Sequence, residues 1–189
     1  TLLPVVQGQV GAYALVPEYA RLFRVDGNNS VESLFESQMG NVVLCGQGLC
    51  GNNVSRMIGP RGPSFADGFP TRWYFREFFR DSTVDGRVDP RLDATIFYWK
   101  GDTTTVFNRT WRDRYTNRET GVVDTTSLFF KKYGEYYTDL TESTWEAPIN
   151  PKILRFADVL LMYAEALNEQ GLTGQAAPFV NRVRARVNL

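Results

Sequence analysis

"RFADVLLMYAEALNEQG", residues 155–171, decides how this chain is read. Phe156, Ala157, Leu160, Leu161, Ala164 and Leu167 follow i, i+3, i+4, i+7 spacing, and Ile153 extends the series upstream; the pattern predicts one broad apolar stripe on a helix. Ala157, Ala164 and Ala166 are small enough to let a second helix approach closely. Gly171 suits the left-handed backbone that stops such a helix. A second run, "AAPFVNRVRARV" at residues 176–187, follows at once and places Ala177, Val180, Val183 and Val187 on a narrower stripe. Pro178 has no N–H for a helix interior, so this second helix is expected to start near Gln175. Arg182, Arg184 and Arg186 are expected to point away from its stripe. Two helices alone cannot bury both stripes, so they need further elements to pack on.

Composition narrows the chemistry. A chain of 189 residues can bury roughly 70% of the surface its unfolded form exposes, so a real core is within reach. Lys+Arg and Asp+Glu both number 21, and this balance points to no nucleic-acid partner. Histidine is absent, which removes histidine general bases, Ser-His-Asp and Cys-His nucleophiles, and histidine zinc sites. No apolar run of membrane-spanning length lacks charges. Cys45 and Cys50, in "CGQGLCG", could close a small disulfide in an oxidising compartment; a metal would need ligands that the chain does not offer.

Outward from the helix pair, Pro17 is placed to open a short helix carrying Tyr19, Leu22 and Phe23. "VESLFESQM" alternates as a strand, with Ser33 and Phe35 on one face and Leu34 and Glu36 on the other. Residues 40–70 form a long stretch rich in Gly, Pro and Asn, of a length that is usually functional or disordered. Thr71 suits the N-cap of a short helix bearing Trp73, Phe75, Phe78 and Phe79. "LDATIFYW" and "SLFFKKYGEYY" read as strands, and Pro151 falls near the first turn of the terminal helices. Asp81, Asp85, Asp89 and Asp93 recur every four residues across a Pro and a Gly. Turn formation and pairing with Arg87 or Arg91 account for them better than a calcium loop.

Several of these segments together resemble the SusD/RagB family. "ILRFADVLLMYAEALNEQG" followed by "FVNRVRARVNL" is similar to its Arg-x-Ala-Asp helix and Asn-x-Val-Arg helix. "SVESLFESQ", "VDPRLDATI" and "KKYGEY" are similar to three upstream segments, in the family's order. The resemblance implies a predominantly α fold: tetratricopeptide-like helix pairs against a loop-rich region with a few short strands. It implies one larger domain, with residues 1–150 as the loop-rich region and 151–189 as the terminal helix pair. It also implies a surface lipoprotein of the Bacteroidetes outer membrane that binds glycans or peptides without catalysis or cofactor and caps a SusC-like TonB-dependent transporter. The family's N-terminal repeats and lipid-bearing cysteine have no counterpart here, so the chain is expected to be a piece of a longer protein anchored through a segment outside it.

A glycan binder needs aromatic faces for sugar C–H groups and fixed donors and acceptors for hydroxyls. Position in the family pattern favours the 40–70 loop, with Asn52, Asn53, Arg56 and Arg61 as polar groups, Met57 and Phe65 as apolar ones, and Trp73 and Tyr74 at its exit. A second set is Trp111, Arg112 and Tyr115, near Trp99. Trp73 and Trp99 read more readily as packed rings, whereas Trp111 and Tyr115 sit among charges and are expected to be exposed. Asn52 and Asn53 also suit turns. Two other readings compete: a glycoside hydrolase using Glu32 and Glu36, and an interaction scaffold without a small ligand. On a strand the two carboxylates would lie about 13 Å apart, at roughly 3.3 Å per residue, too wide for that chemistry.

Overall fold

The strand expected at Ser33–Glu36 forms, and its partner is a segment expected to be helical. The computed structural model describes residues 2–40, 51–62, 64–107, 109–133 and 147–189. Cys45, Cys50 and the continuation of the "KKYGEYY" strand past residue 133 lie outside them. Regular structure is mostly helical. In chain order the helices are α1 (Leu3–Val6), α2 (Val54–Ile58), α3 (Arg72–Glu77), α4 (Arg91–Thr95), α5 (Trp111–Tyr115), α6 (Phe156–Glu169) and α7 (Thr173–Ala185). The strands are β1 (Ser33–Glu36), β2 (Ile96–Phe97), β3 (Thr105–Val106), β4 (Arg109–Thr110), β5 (Phe129–Phe130) and β6 (Lys152–Arg155). They form three two-stranded antiparallel ladders, β1–β6, β2–β5 and β3–β4. Two compact units result: residues 2–38, 79–91 and 150–189, and residues 39–78 and 92–149. The terminal helix pair falls in the first unit, with residues 2–38 and 79–91.

In the first unit, Pro151 does not open a helix. Residues 152–155 stay extended, pairing Arg155 with Ser33 and Lys152 with Glu36, and Ile153 leaves the expected stripe to stand 59% exposed. Burial of charge explains the difference. Glu32 is fully buried; Arg186 Nη1 donates to both its oxygens at 2.8 Å, and the Val16 N–H donates at 2.7 Å. Arg155 Nη1 lies 3.6 Å from the same carboxylate. Glu36 pairs with Lys152 at 2.7 Å, both side chains buried, and accepts from Asn150 Nδ2 at 2.7 Å and Ser33 Oγ at 2.8 Å. Only an extended 152–155 segment delivers Lys152 and Arg155 to these two acids. Arg186, expected to point outward, is instead buried, with its guanidinium also 5.2 Å over the Tyr19 ring.

Helix α6 starts where Asp158 accepts the Arg155 backbone N–H at 2.9 Å and the Arg155 guanidinium at 2.9 Å. This places an acid in the first turn, where the helix dipole favours it. Phe156, Ala157, Leu160, Ala164 and Leu167 are buried as expected, Val159 joins them, and Leu161 is 41% exposed. The helix ends in a Schellman motif: Leu172 N–H reaches Leu167 C=O and Gly171 N–H reaches Asn168 C=O, both at 2.9 Å, with Gly171 at φ 76°. Helix α7 begins at Thr173, two residues before the expected start, and takes Pro178 into its second turn. Its inner face also differs from the expected stripe. Ala176 and Val187 are buried, Phe179 meets Tyr163 edge-on at 4.9 Å, and Ala177 and Val180 are exposed. The acidic series serves turns and ion pairs, with Asp81–Arg184 at 2.7 Å, Asp85–Arg87 at 2.7 Å and Asp89–Arg91 at 2.6 Å.

Glu36 carries a pH dependence. Burial pushes its carboxyl up, but the hydrogen bonds from Asn150, Lys152, Ser33 and the Asn29 N–H outweigh that and hold it below its ordinary 4.5. A lowered carboxylate contributes stability that is present above the unfolded pKa and lost as pH falls through the folded one. Melting temperatures of the native protein and of Glu36→Gln should therefore differ by a constant amount near neutrality. The gap should close on the acid side of about pH 4.5. A gap independent of pH down to acid unfolding would refute the assignment.

Candidate functional site

The second unit carries a cavity of about 350 Å³ lined by Arg61, Phe69, Tyr115, Thr116, Asn117, Asp124, Ser127 and Phe129. Its floor is built from helix α5 and strand β5. Thr110 caps α5 by accepting the Asp113 N–H at 3.1 Å. The helix then turns Trp111 and Tyr115, four residues apart, to the same side, and Arg112 and Asp113 to solvent. Trp111 is fully buried, its indole N–H donating to Asp124 C=O at 2.6 Å. Tyr115 meets Trp111 edge-on at 4.7 Å and stacks on Phe129 at 5.2 Å, while Phe69 tilts against Phe129 at 5.9 Å. Phe69 is 49% exposed, so it presents a ring face at the mouth.

The rim is polar and held in place by its own hydrogen bonds. Tyr115 OH donates to Arg61 C=O at 3.1 Å. Burial, the leading cause, pushes the Tyr115 hydroxyl up to about 12, so it keeps its proton at any working pH. Asp124 Oδ1 accepts the N–H groups of Thr126 and Ser127 and the Thr126 hydroxyl, and Oδ2 accepts the Ser127 hydroxyl at 2.5 Å. Burial raises the Asp124 carboxyl, but these donors hold it below its ordinary value. Asn117 Oδ1 accepts from Glu119 N–H and Thr120 N–H, and its backbone pairs with Gly121 and Val122 at 2.8 Å. The Asn117 amide N–H₂ and the exposed Arg61 guanidinium are left facing outward, without partners among the described residues.

The structure therefore sorts the expected site residues. Arg61 and Tyr115 line the cavity. Trp73, expected to pack, is 69% exposed, and Tyr74 beside it is 37% exposed. Thr71 does cap their helix, accepting the Tyr74 N–H at 3.1 Å. The rings that α3 turns inward are Phe75, edge-on to Tyr98 at 5.1 Å, and the neighbouring Phe78, in a buried cluster with Leu92, Ile96 and Leu128. Trp73 follows Arg72 outward. Trp111, expected to be exposed, is the reverse case and cannot touch a ligand; its i, i+4 relation to Tyr115 was the legible signal of a shared buried face. Trp99 is half-buried against the Trp111 cluster. Arg112 is paired with Asp102 at 2.6 Å on the surface.

In the 51–62 segment, Asn52 is also corrected. It is buried, pairs through its backbone with Ala147, donates from Nδ2 to Ile149 C=O and accepts the Val54 N–H at 3.1 Å, so it is a structural turn residue. Asn53 is the exposed N-cap position of α2, though its side chain accepts no capping bond. Arg56 lies 5.2 Å over the Phe65 ring, and Met57 and Phe65 are each 48% exposed. None of these three lines the cavity. Phe69, Asn117 and Phe129 do, and sequence reading missed them. The turn signal at Asn117, four residues before Gly121, was available; the aromatic floor was not, because it joins residues from three separate segments.

The sequence matches the SusD family over residues 6–189, and the chain belongs to that family. A SusD superfamily protein from Bacteroides vulgatus superposes with a TM-score of 0.79 at 25% identity, over 100% of this chain and 38% of its own length. Surface glycan-binding protein A from Bacteroides thetaiotaomicron, solved in complex with laminarihexaose, gives 0.65 at 20% identity over 100% of this chain and 42% of its own. A laminarin binding SusD-like protein gives 0.55 at 25% identity, covering 94% and 39%. The chain thus spans less than half the length of each. No curated protein matches the sequence.

Proposed function

We propose that this chain supplies part of the ligand surface of a cell-surface glycan-binding protein, one that captures polysaccharide without cleaving it. Delivery to a SusC-like TonB-dependent transporter at the outer membrane belongs to the same proposal, and family membership supports it. The observation that carries the reading is the cavity itself: an aromatic floor of Tyr115 and Phe129 with Phe69 at the mouth, edged by outward-facing donors from Arg61 and Asn117. Aromatic faces take the C–H side of a pyranose, and fixed donors take its hydroxyls. Trp73 offers a second exposed face in the same unit. A hydrolytic reading on Glu32 and Glu36 is disfavoured, because each is buried against a cation and committed to holding the first unit together.

Calorimetric titration of the intact protein with soluble polysaccharides, with reducing ends assayed in the same samples, tests this reading. Saturable heat without released product is the expected result. Trp73→Ala should weaken binding roughly tenfold by removing one stacking face. It should leave folding stability within about 0.5 kcal/mol, as an exposed side chain does. Arg61→Ala and Asn117→Ala should each weaken binding several-fold through lost hydrogen bonds. Released product would overturn the non-catalytic reading. Binding of a membrane partner alone, with no glycan heat, would leave the scaffold reading in its place.

A further inference from the structure

We infer that the ligand of this surface is an acidic polysaccharide, one bearing carboxylates or sulfates; the inference rests on the glycan-capture reading above. Three arginines surround the exposed aromatic faces. Arg61 edges the cavity. Arg76, at i, i+3, shares a face of α3 with Trp73, and Arg72 lies at i, i+4 to Arg76. Arg72 ties this helix to the cavity wall by donating to Thr126 C=O at 3.4 Å, one residue before Ser127 of the lining. Phe69, at the cavity mouth, precedes the Thr71 cap of the same helix by two residues. Cavity, Phe69 and Trp73 therefore belong to one continuous stretch of the second unit.

The charges of that stretch are arranged for an incoming anion. No described carboxylate pairs with Arg61, Arg72 or Arg76, all three of which are exposed. Two exposed cations elsewhere in the unit are neutralised, Arg112 by Asp102 at 2.6 Å and Lys100 by Asp93 at 3.0 Å; Arg109 and Arg118 are exposed too, but neither lines the cavity nor shares a helix with Trp73. The carboxylate within the cavity, Asp124, already accepts four hydrogen bonds from its own loop. It is thus engaged as a loop fastener rather than as an acceptor for sugar hydroxyls. The side-chain groups left over for a ligand are chiefly donors: guanidinium forks and the Asn117 amide N–H₂. A guanidinium takes a carboxylate or sulfate bidentately, and a neighbouring ring takes the face of the sugar that bears it. A neutral glucan would give the arginines single hydroxyl acceptors but no charge-assisted bidentate partner.

The intact protein would be titrated with polygalacturonate, chondroitin sulfate, neutral laminarin and polyglutamate at low and high salt. The expected result is preferential binding of the two acidic polysaccharides, weakened by salt as exposed pairs are. Arg72→Gln and Arg76→Gln should each weaken that binding about three- to fivefold. Arg76→Gln should leave the melting temperature unchanged, and Arg72→Gln should lower it by no more than the loss of one long, exposed hydrogen bond does. Laminarin binding with no response to the acidic polymers would overturn this inference and leave glycan capture standing. Acidic-polysaccharide binding indifferent to salt and to both arginine variants would overturn it as well. Equal binding of polyglutamate would show that charge alone is read and would overturn the sugar part. Silence from every polymer would overturn the inference together with the reading beneath it.

Discussion

Glu32→Ala should destabilise the protein by about 3–5 kcal/mol, the range for removing one partner from a buried ion pair. Glu32 is fully buried and is the shared acceptor for Arg186, Arg155 and the Val16 N–H. Without it, the buried Arg186 guanidinium keeps its charge and loses both of its 2.8 Å bonds. Arg186 Nε and Arg155 Nη1 are already buried without a hydrogen-bond partner among the described residues, so neither arginine can absorb the loss. Chemical denaturation would read the effect. The decisive comparison is the double variant Glu32→Ala with Arg186→Met, which removes the stranded charge and fills part of its volume. It should recover a substantial share of the stability lost in Glu32→Ala. A loss below 1 kcal/mol for the single variant, or no recovery in the double, would refute this account.

Trp111→Ala should cost about as much, roughly 3–5 kcal/mol, for a different reason. The ring is fully buried between Tyr115 and Phe129. Its removal opens a cavity beneath the ligand surface and leaves Asp124 C=O without its donor. Trp111→Phe separates the two losses. It keeps most of the packing and drops only the hydrogen bond, at a cost of about 1 kcal/mol plus the smaller ring. Both variants should weaken glycan binding as well, since Tyr115 and the Asp124 loop lose their support. Trp73→Ala should instead weaken binding and spare stability. An undiminished melting temperature in Trp111→Ala would contradict the buried placement.

The two tryptophans show where reading a sequence succeeds and where it stops. Both sit at the start of short helices, after threonine caps that the structure forms. Charge around Trp111 suggested exposure and aromatics around Trp73 suggested packing; the structure reverses both. A five- or six-residue helix has too few turns for its own periodicity to name the inner face. The choice falls to whatever lies across from it: Phe129 and Ala66 for α5, Tyr98 and Leu128 for α3. The rim residues Asn117 and Asp124 are legible as turn formers, but their role at a cavity depends on Arg61 and Phe69, about fifty positions or more earlier.

Helix α6 needed no such help. Fourteen residues of repeating pattern, an acid in the first turn and Gly171 after the last determine its extent and most of its buried face, because those signals are local and a helix satisfies its own backbone. The motifs carrying the family resemblance are local in the same sense, so the family was legible from the chain alone. Tertiary structure decided the rest. It made residues 152–155 a strand and turned Arg186 inward, because a charge leaves water only where its counter-charge waits. Glu32 stands 154 positions from Arg186 along the chain, and only the folded protein brings them together.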